Sequence, residues 1–442
     1  MDETPLSAEV ENYCCPGEAR AIDRAVHLAR LAIFYAPCRE CVHRGDVRHL
    51  SPIEIRRWRE IDRRPHRPPQ FTGEGLESYS PNEFDPPLAR RFATALASIV
   101  WEWHRDPSRS PCVLVGADGH WSTAELVAAV CEALQLSGCQ AVETGAVTSA
   151  SLGILGQHLR ADAAVWIGNF TGEPHALGFK LWGKHGRPWS SPGELDAVRE
   201  QYEMAGAMRP RRRGGGLQRA RASEVYLPPL ASLFHGLRPL RFVLDTTCEP
   251  LVRYFHALSA HAACQALRDR AISGDVQAND ASSSDGSFAD RRVEAVGRRV
   301  LAQRAHFGLW IDGDGENCRL VDERGAAADG EVLLLTLAEY ICRERPGVSL
   351  FVNREISANL ASALERAGAR VVEGGDTRQE AYDAIVAGGA VFGGGASGRF
   401  WFAGDPPVAD ALMTLSVFLT LLSQSDRAVS EVLDAARLAL YK

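Results

Sequence analysis

No stretch of this chain is apolar for long enough to cross a bilayer. The longest, ALMTLSVFLTLL at 411–422, carries hydroxyls and falls short of the roughly 20 residues a spanning helix needs, so it reads as a buried core helix. The opening residues, MDETPLSAEVENY, lack the basic start and apolar run of a secretion signal. Charge of one sign is not in excess. Lys and Arg number 49 against 56 Asp and Glu, a net −7, which argues against a general nucleic-acid binder and leaves room only for local basic patches. Low-complexity tracts are missing too, since the 40 Gly and 23 Pro are dispersed; a fibrous chain is excluded. Nor is there a disulfide framework. The eleven cysteines are odd in number, and most, such as Cys112, Cys131, Cys264 and Cys342, stand alone in apolar segments. That is the usage of reduced thiols in a cytoplasmic protein.

What the chain does have is ordinary globular composition, 45% apolar and 24% charged over 442 residues, enough for about three domains at roughly 150 residues each. Residues 1–70 differ from the rest. A helical pattern over Ala19–Tyr35 puts Ile22, Val26, Ala29 and Ile33 on one face. Cys14 and Cys15 precede it; Cys38, Cys41 and His43 follow it. These side chains supply enough soft ligands for a tetrahedral Zn²⁺, with unliganded thiols as the alternative. The basic, Pro-rich stretch IRRWREIDRRPHRPP at 55–69 reads as a linker.

From residue 71 strands and helices alternate: CVLVG (112–116), a helix at 122–136 opened by Ser122 and Glu125 in capping-box spacing, QAVETG, a helix at 150–160, AAVWIG. MRPRRRGGGLQRARA (208–222), with six arginines and three glycines, reads as an exposed interdomain linker. The pattern restarts at RFVLDT (241–246), passes the polar insertion NDASSSDGSFAD (279–290), and resumes at HFGLWI (306–311). It restarts again at VSLFVN (348–353), followed by helices at 357–367 and 378–387. A βαβ unit thus recurs three times without exact sequence repetition, which predicts parallel sheet with helices on its faces.

Four segments could carry chemistry. In GLWIDGDGENCRLVDERG (308–325), Asp312, Asp314 and Glu316 alternate with glycines and could converge on one hard divalent cation. An EF-hand is excluded because its sixth position is Asn317 and both flanks read as strands; a metal-free acidic turn is the alternative. In AVFGGGASGRFWF (390–402), the glycine-rich turn with Ser397 and Arg399 could grip hydroxyls or phosphate. It is not a P-loop, because no Gly-Lys-Ser/Thr follows. WIGNFTGEPHALGFKLWG (166–183) places Thr171, Glu173, His175 and Lys180 at the carboxyl edge of a buried strand, where α/β sheets bind ligands. The N-terminal cysteine set is the fourth.

In this order the segments resemble the α-D-phosphohexomutase family of phosphoglucomutases, phosphomannomutases and phosphoglucosamine mutases, over roughly residues 71–440. The resemblance implies an α/β fold. Three tandem phosphohexomutase-like α/β/α domains with mixed sheets occupy 71–207, 223–326 (the metal-loop domain) and 327–442 (the sugar-loop domain). The small Cys-containing helical extension of 1–70 precedes them. It also implies Mg²⁺, a hexose phosphate ligand, and intramolecular phosphoryl transfer from a phosphoserine.

The family's FGTSGIRG resembles FTGEGLES, with Phe71 and Gly75 kept and Glu74 and Glu77 in place of serine and arginine. GRDTR…SxEL resembles GADGHWSTAEL, keeping Asp118, Ser122 and Glu125 but with Ala117 and His120 at the arginines. TASHNPPEYNGFK aligns with GNFTGEPHALGFK, keeping Pro174, Gly178, Phe179 and Lys180, with Phe170 at the nucleophilic serine and Thr171 next to it. DGDGDR resembles DGDGEN, with Asn317 at the arginine and Arg319 two residues on as a partial substitute. GGExSGH resembles GGGASGR, with Gly395 at the glutamate and Arg399 at the histidine. Nothing after residue 425 resembles RPSGTEP, the phosphate loop of the family's fourth domain, so that domain is expected to be missing.

Three readings follow. The first is a divergent mutase, an isomerase of hexose phosphates, with Thr171 as surrogate phosphoryl carrier beside Lys180. Asp312, Asp314 and Glu316 would hold Mg²⁺, and Arg319, Ser397 and Arg399 would bind substrate. The second is an inactive family member that binds a sugar phosphate or regulates, with the cysteine module as a protein-partner interface. The third is a zinc-stabilised N-terminal module that binds protein or nucleic acid through Arg56, Arg57, Arg59, Arg63 and Arg64. Solvated linker chemistry is the commoner meaning of such a run, so nucleic acid is not expected.

Overall fold

The computed structural model describes residues 12–16, 19–32, 35–63, 68–79, 83–170, 175–204, 215–268 and 287–441. Thr171, Pro174 and Arg64 lie outside them, as does most of the 279–290 insertion. The chain divides into two compact units, one of residues 1–69 and 78–85, the other of 70–77 and 86–442.

In the smaller unit, helix Arg24–Ala32 and helix Pro52–Arg63 flank a short 3-10 turn, Ala36–Arg39. The second helix was expected to be linker. It forms because Ser51 and Glu54 cap it reciprocally, Glu54 accepting from the Ser51 N–H at 2.8 Å and Ser51 Oγ from the Glu54 N–H at 3.2 Å, with Pro52 in the first turn. Trp58 anchors it in a small cluster with Leu31 and Cys38. Tyr13, Cys15 and Cys41 form a second cluster, where the Cys41 and Cys15 sulfurs lie 3.8 Å apart and His27 stacks on Tyr13 at 4.1 Å.

The larger unit contains three mixed sheets. The first comprises β1 (Gln70–Phe71), β2 (Leu76–Tyr79), β3 (Cys112–Ala117), β4 (Gln140–Ala146), β5 (Ala163–Gly168), β6 (Ala176–Trp182) and β7 (Gly216–Arg219), in the order β1-β2-β6-β5-β3-β4-β7. β5, β3, β4 and β7 run parallel, whereas β6 is antiparallel to β5. Every residue of β5 and β6 is buried, as expected of strands covered on both faces. Helix Pro86–Trp103 packs on helices Ala124–Leu136 and Glu194–Met204. The expected Ser122 cap does not form. A 3-10 turn, Trp121–Thr123, leads into that helix, and the Ser122 N–H donates back to the His120 ring. β7 corrects another reading: the last part of the segment taken as linker is an edge strand paired with β4.

The second sheet, in the order β11-β10-β8-β9, comprises β8 (Arg241–Thr246), β9 (Gln265–Leu267), β10 (Phe307–Ile311) and β11 (Cys318–Asp322). β8 is parallel to β9 and β10, and β11 turns back antiparallel. The Phe242 and Phe307 rings stack at 4.8 Å across β8 and β10. The third sheet, ordered β13-β12-β14-β15-β16, comprises β12 (Ser349–Asn353), β13 (Arg370–Gly374), β14 (Ala390–Gly394), β15 (Phe400–Phe402) and β16 (Val408–Ala409). Its first three strands are parallel and the rest antiparallel. One core runs through the second and third sheets and includes Leu244, Leu309, Leu335, Phe392, Phe400 and Phe418. The apolar stretch near the C-terminus is helix Ala411–Ser423, buried in that core. Among the described residues, no helix is long and apolar enough to cross a membrane, and no cysteine is in a disulfide.

Candidate functional site

The loops leaving the carboxyl ends of β5, β10 and β14 meet at one place, as parallel strands with covering helices dictate. Glycines make the approach possible. A Cβ on Gly313 would sit 1.9 Å from the Asn169 carbonyl oxygen, and one on Gly398, at φ +84°, would sit 2.2 Å from the Cys318 carbonyl oxygen. The Cys318 N–H donates to the Gly398 carbonyl at 3.0 Å, and Asn317 and Arg399 form an isolated bridge. Asp118, buried at the end of β3, accepts from the Asn169 N–H at 3.2 Å and from the His120 N–H at 2.8 Å, steadying the loop after β5.

At the meeting point lies a cluster of buried charges. Lys180, on β6, is 1% exposed. Its ammonium donates to Asp314, to Glu316 Oε2 at 3.2 Å, and lies 3.2 Å from Glu74 Oε2. Arg399 grips Glu74 with both terminal nitrogens, at 2.8 and 3.2 Å, and its Nε lies 3.3 Å from Glu316 Oε2. Arg378, also 1% exposed, brings Nη2 to 3.1 Å from Glu316 Oε1 and packs its guanidinium over the Trp182 ring at 4.5 Å. Phe170 lies against Gly178 and under Lys180, whose Nζ is 4.9 Å from the ring centroid.

Electrostatics follow from this packing. Burial works against the Lys180 ammonium, but Asp314, Glu316 and Glu74 outweigh it and raise its pKa above the usual lysine value. Burial likewise opposes ionisation of Glu316, and Arg378, Lys180 and Arg399 overcome it and hold the carboxylate below its ordinary range. Glu74 is depressed in the same way against burial, chiefly by Arg399 and then by Lys180 and Arg378. Asp312 goes the other way: burial, then the neighbouring Asp314 charge, push it well above the carboxylate range. Asp312 Oδ1 accepts from the Gly315 and Glu316 N–H groups, both at 3.0 Å, and Oδ2 from the Asn317 side chain.

Of the expected site residues, Lys180, Asp314, Glu316 and Arg399 come together. Arg319 instead donates to Asp290 Oδ1 at 2.7 Å. Ser397 is exposed and braces its own turn, accepting from the Arg399 N–H at 3.3 Å. Glu74 and Arg378 were not foreseen as site members. For Glu74 a clue was present, because a new acid in one loop and a new base in another (Arg399) are complementary. For Arg378 the clue was the Thr377/Glu380 capping box, which starts a helix at the carboxyl edge of β13.

The donor set does not fit Mg²⁺. Asp314 and Glu316 spend their outward oxygens on Lys180, Arg378 and Arg399, and Asp312 spends its own on the loop that carries it. Among the described residues no three His, Cys, Asp or Glu side chains are arranged to hold a metal ion. That covers the N-terminal thiols too. Cys14 is exposed, Cys38 packs with Leu31 and Trp58, and His43 stands edge-on to Tyr13 at 5.2 Å. Burial, with Cys15 and Cys41 adding, pushes the Cys38 thiol up to about 11.

Residues 69–206 match the family model "Phosphoglucomutase/phosphomannomutase, alpha/beta/alpha domain I". The phosphoglucosamine mutase of Kineococcus radiotolerans is 26% identical over 374 residues, covering 82% of this chain and 80% of its own. A phosphoglucomutase/phosphomannomutase family protein from Burkholderia thailandensis superposes with a TM-score of 0.67 at 20% identity, covering 82% and 80% of the two chains. The N-acetylphosphoglucosamine mutase of Aspergillus fumigatus, solved with GlcNAc-6P and magnesium, superposes with a TM-score of 0.50 at 11% identity, covering 83% and 80%. In fold, in the order of its loops and in these likenesses the chain is similar to the α-D-phosphohexomutases, and residues 69–206 match that family's domain I.

Proposed function

We propose that this chain is a member of its family that does not turn hexose phosphates over, and that it serves carbohydrate metabolism as a binding or regulatory protein. One observation carries the reading: Lys180, Arg378 and Arg399 are paired with Glu74, Asp314 and Glu316 inside the centre. Phosphoryl transfer needs cationic groups free to receive charge that develops on the transferring group. Here the cations already have carboxylate partners. Phe170 supports the same reading, because a phenyl ring has no oxygen to phosphorylate, and its ring lies against the Lys180 ammonium.

The test is a coupled mutase assay on the full chain with glucose 1-phosphate, mannose 1-phosphate or glucosamine 1-phosphate, plus Mg²⁺ and the matching hexose bisphosphate. Background rates are expected, unchanged in Asp312→Ala/Asp314→Ala. Turnover that this variant and Thr171→Ala both abolish would establish a rebuilt mutase with a shifted phosphoryl carrier, and the reading would fall.

A further inference from the structure

We infer that this centre is built without a divalent metal, its carboxylates being taken up by Lys180, Arg378 and Arg399. The inference rests on the reading above and deepens it, since it says why the centre takes no metal.

The geometry is that of a saturated site. An ammonium has three N–H donors, and Lys180 faces three carboxylates contributed by two separate loops: Glu74 from the turn between β1 and β2, and Asp314 and Glu316 from the loop after β10. Phe170 closes a further side of the ammonium. A Mg²⁺ ion wants an octahedron of oxygens and keeps several of its waters. The space beside these carboxylates is filled instead by a lysine stem, a phenyl ring and two guanidinium groups.

Charge leads to the same conclusion. The six groups in direct ion pairs, three cations and three carboxylates, sum to zero. A divalent ion entering among them would add two positive charges that only Asp312, whose oxygens already accept from its own loop, could offset in part, at a site where the lysine and one arginine are 1% exposed, which is costly in a protein interior. The leftover hydrogen-bonding capacity is also of the wrong kind for a cation. Arg378 Nε and Nη1 and Arg399 Nε are buried with no hydrogen-bond acceptor. The centre has donors to spare, and its carboxylate oxygens are occupied.

The experiment titrates the full-length protein with Mn²⁺, read by electron paramagnetic resonance of the free ion, with calorimetry against Mg²⁺ alongside. Wild type should bind neither ion stoichiometrically up to millimolar concentration, and its thermal midpoint should be equal in Mg²⁺ and in EDTA. Lys180→Met, which keeps the stem and removes the charge, should gain one Mn²⁺ site that Asp314→Asn then destroys. An ammonium a few ångströms from a divalent ion repels it strongly enough that the gain should be at least about a hundredfold in affinity. A wild-type Mn²⁺ site lost in Asp314→Asn would overturn the inference, and so would a folded Lys180→Met that gains none. Should Lys180→Met not fold, Lys180→Gln takes its place, and the wild-type titration decides on its own. The two readings fail separately. Turnover in metal-free buffer sinks the non-catalytic reading and leaves this inference standing; a wild-type Mn²⁺ site without turnover does the reverse.

Discussion

Replacing Glu74 by glutamine should cost far more stability than one residue of a surface turn ordinarily would. The carboxylate takes two hydrogen bonds from Arg399, at 2.8 and 3.2 Å, lies 3.2 Å from Lys180 and 3.7 Å from Arg378 Nε. Without it, three cations face two carboxylates, and one positive charge is left buried and unmatched. Breaking one side of a buried pair costs about 3–5 kcal/mol. The Glu74 side chain retains 30% exposure, so solvent screening trims the expectation to about 2–3 kcal/mol. Arg399→Gln should cost a similar amount with the opposite excess charge. The double variant returns the count to two against two, so its loss should fall short of the sum by at least about 1.5 kcal/mol. Urea unfolding followed by tryptophan fluorescence measures all three, with Trp182 beneath Arg378 as a local reporter. The loss should change little between low and high salt, because buried pairs are weakly screened. Strict additivity of the two changes, or a Glu74→Gln loss below about 0.5 kcal/mol, would mean the cluster is a set of solvated surface charges and the reasoning fails.

Two further changes probe the packing around the site. Gly313→Ala would press a methyl group to within 1.9 Å of the Asn169 carbonyl oxygen. Neither backbone can yield cheaply, so a loss of about 3 kcal/mol in the same urea assay is expected, and a wild-type midpoint would contradict the close approach of the loops after β5 and β10. Asp410 caps helix Ala411–Ser423 and accepts from Tyr226 at 2.9 Å, and burial raises its carboxyl to about 6. The native chain thus holds this proton more tightly than the unfolded chain, whose value is about 3.9. This group's contribution to stability is greatest below pH 4 and declines as pH rises from about 4 to 6. Asp410→Asn keeps a capping oxygen and removes that slope, so relative to wild type it should gain up to about 3 kcal/mol between pH 4 and pH 7. A variant that instead loses ground over that interval would show that the ionised carboxylate is the stabilising form.

Which parts were legible in the sequence follows from what each part is made of. Strands β3, β5, β8, β10 and β12 are buried along most of their length, so each is written around a short apolar run, and each was readable. Strand β7 was not, because an edge strand of sequence GLQR, largely exposed, has no apolar pattern, and only its pairing with β4 makes it a strand. Helix Pro52–Arg63 was hidden by its arginines, although Ser51-Pro52 and Glu54 announce its start. Ser122 misled in the opposite sense: the spacing of a capping box was there, but His120 competes for its backbone N–H.

The site was half readable for a related reason. Motif order locates Lys180, Asp314, Glu316 and Arg399, because Lys180 sits at a fixed place within β6 and the other three in loops beside strand ends. Pairing between loops more than three hundred residues apart has no local trace, and that pairing decides what the residues do. Asp312-Gly-Asp314-Gly-Glu316 reads as a cation loop so long as nothing else neutralises it. Once Lys180, Arg378 and Arg399 are known to face it, the same carboxylates become the anionic half of an interior salt-bridge cluster. The two departures at Glu74 and Arg399 then cease to look like separate losses. An acid alone at position 74 would sit opposite Asp314 and Glu316 and repel them, and a base alone at position 399 would add a third cation to two carboxylates. Together they conserve charge and tie the turn before β2 to the loop after β14, a contact whose strength the Glu74/Arg399 cycle measures directly.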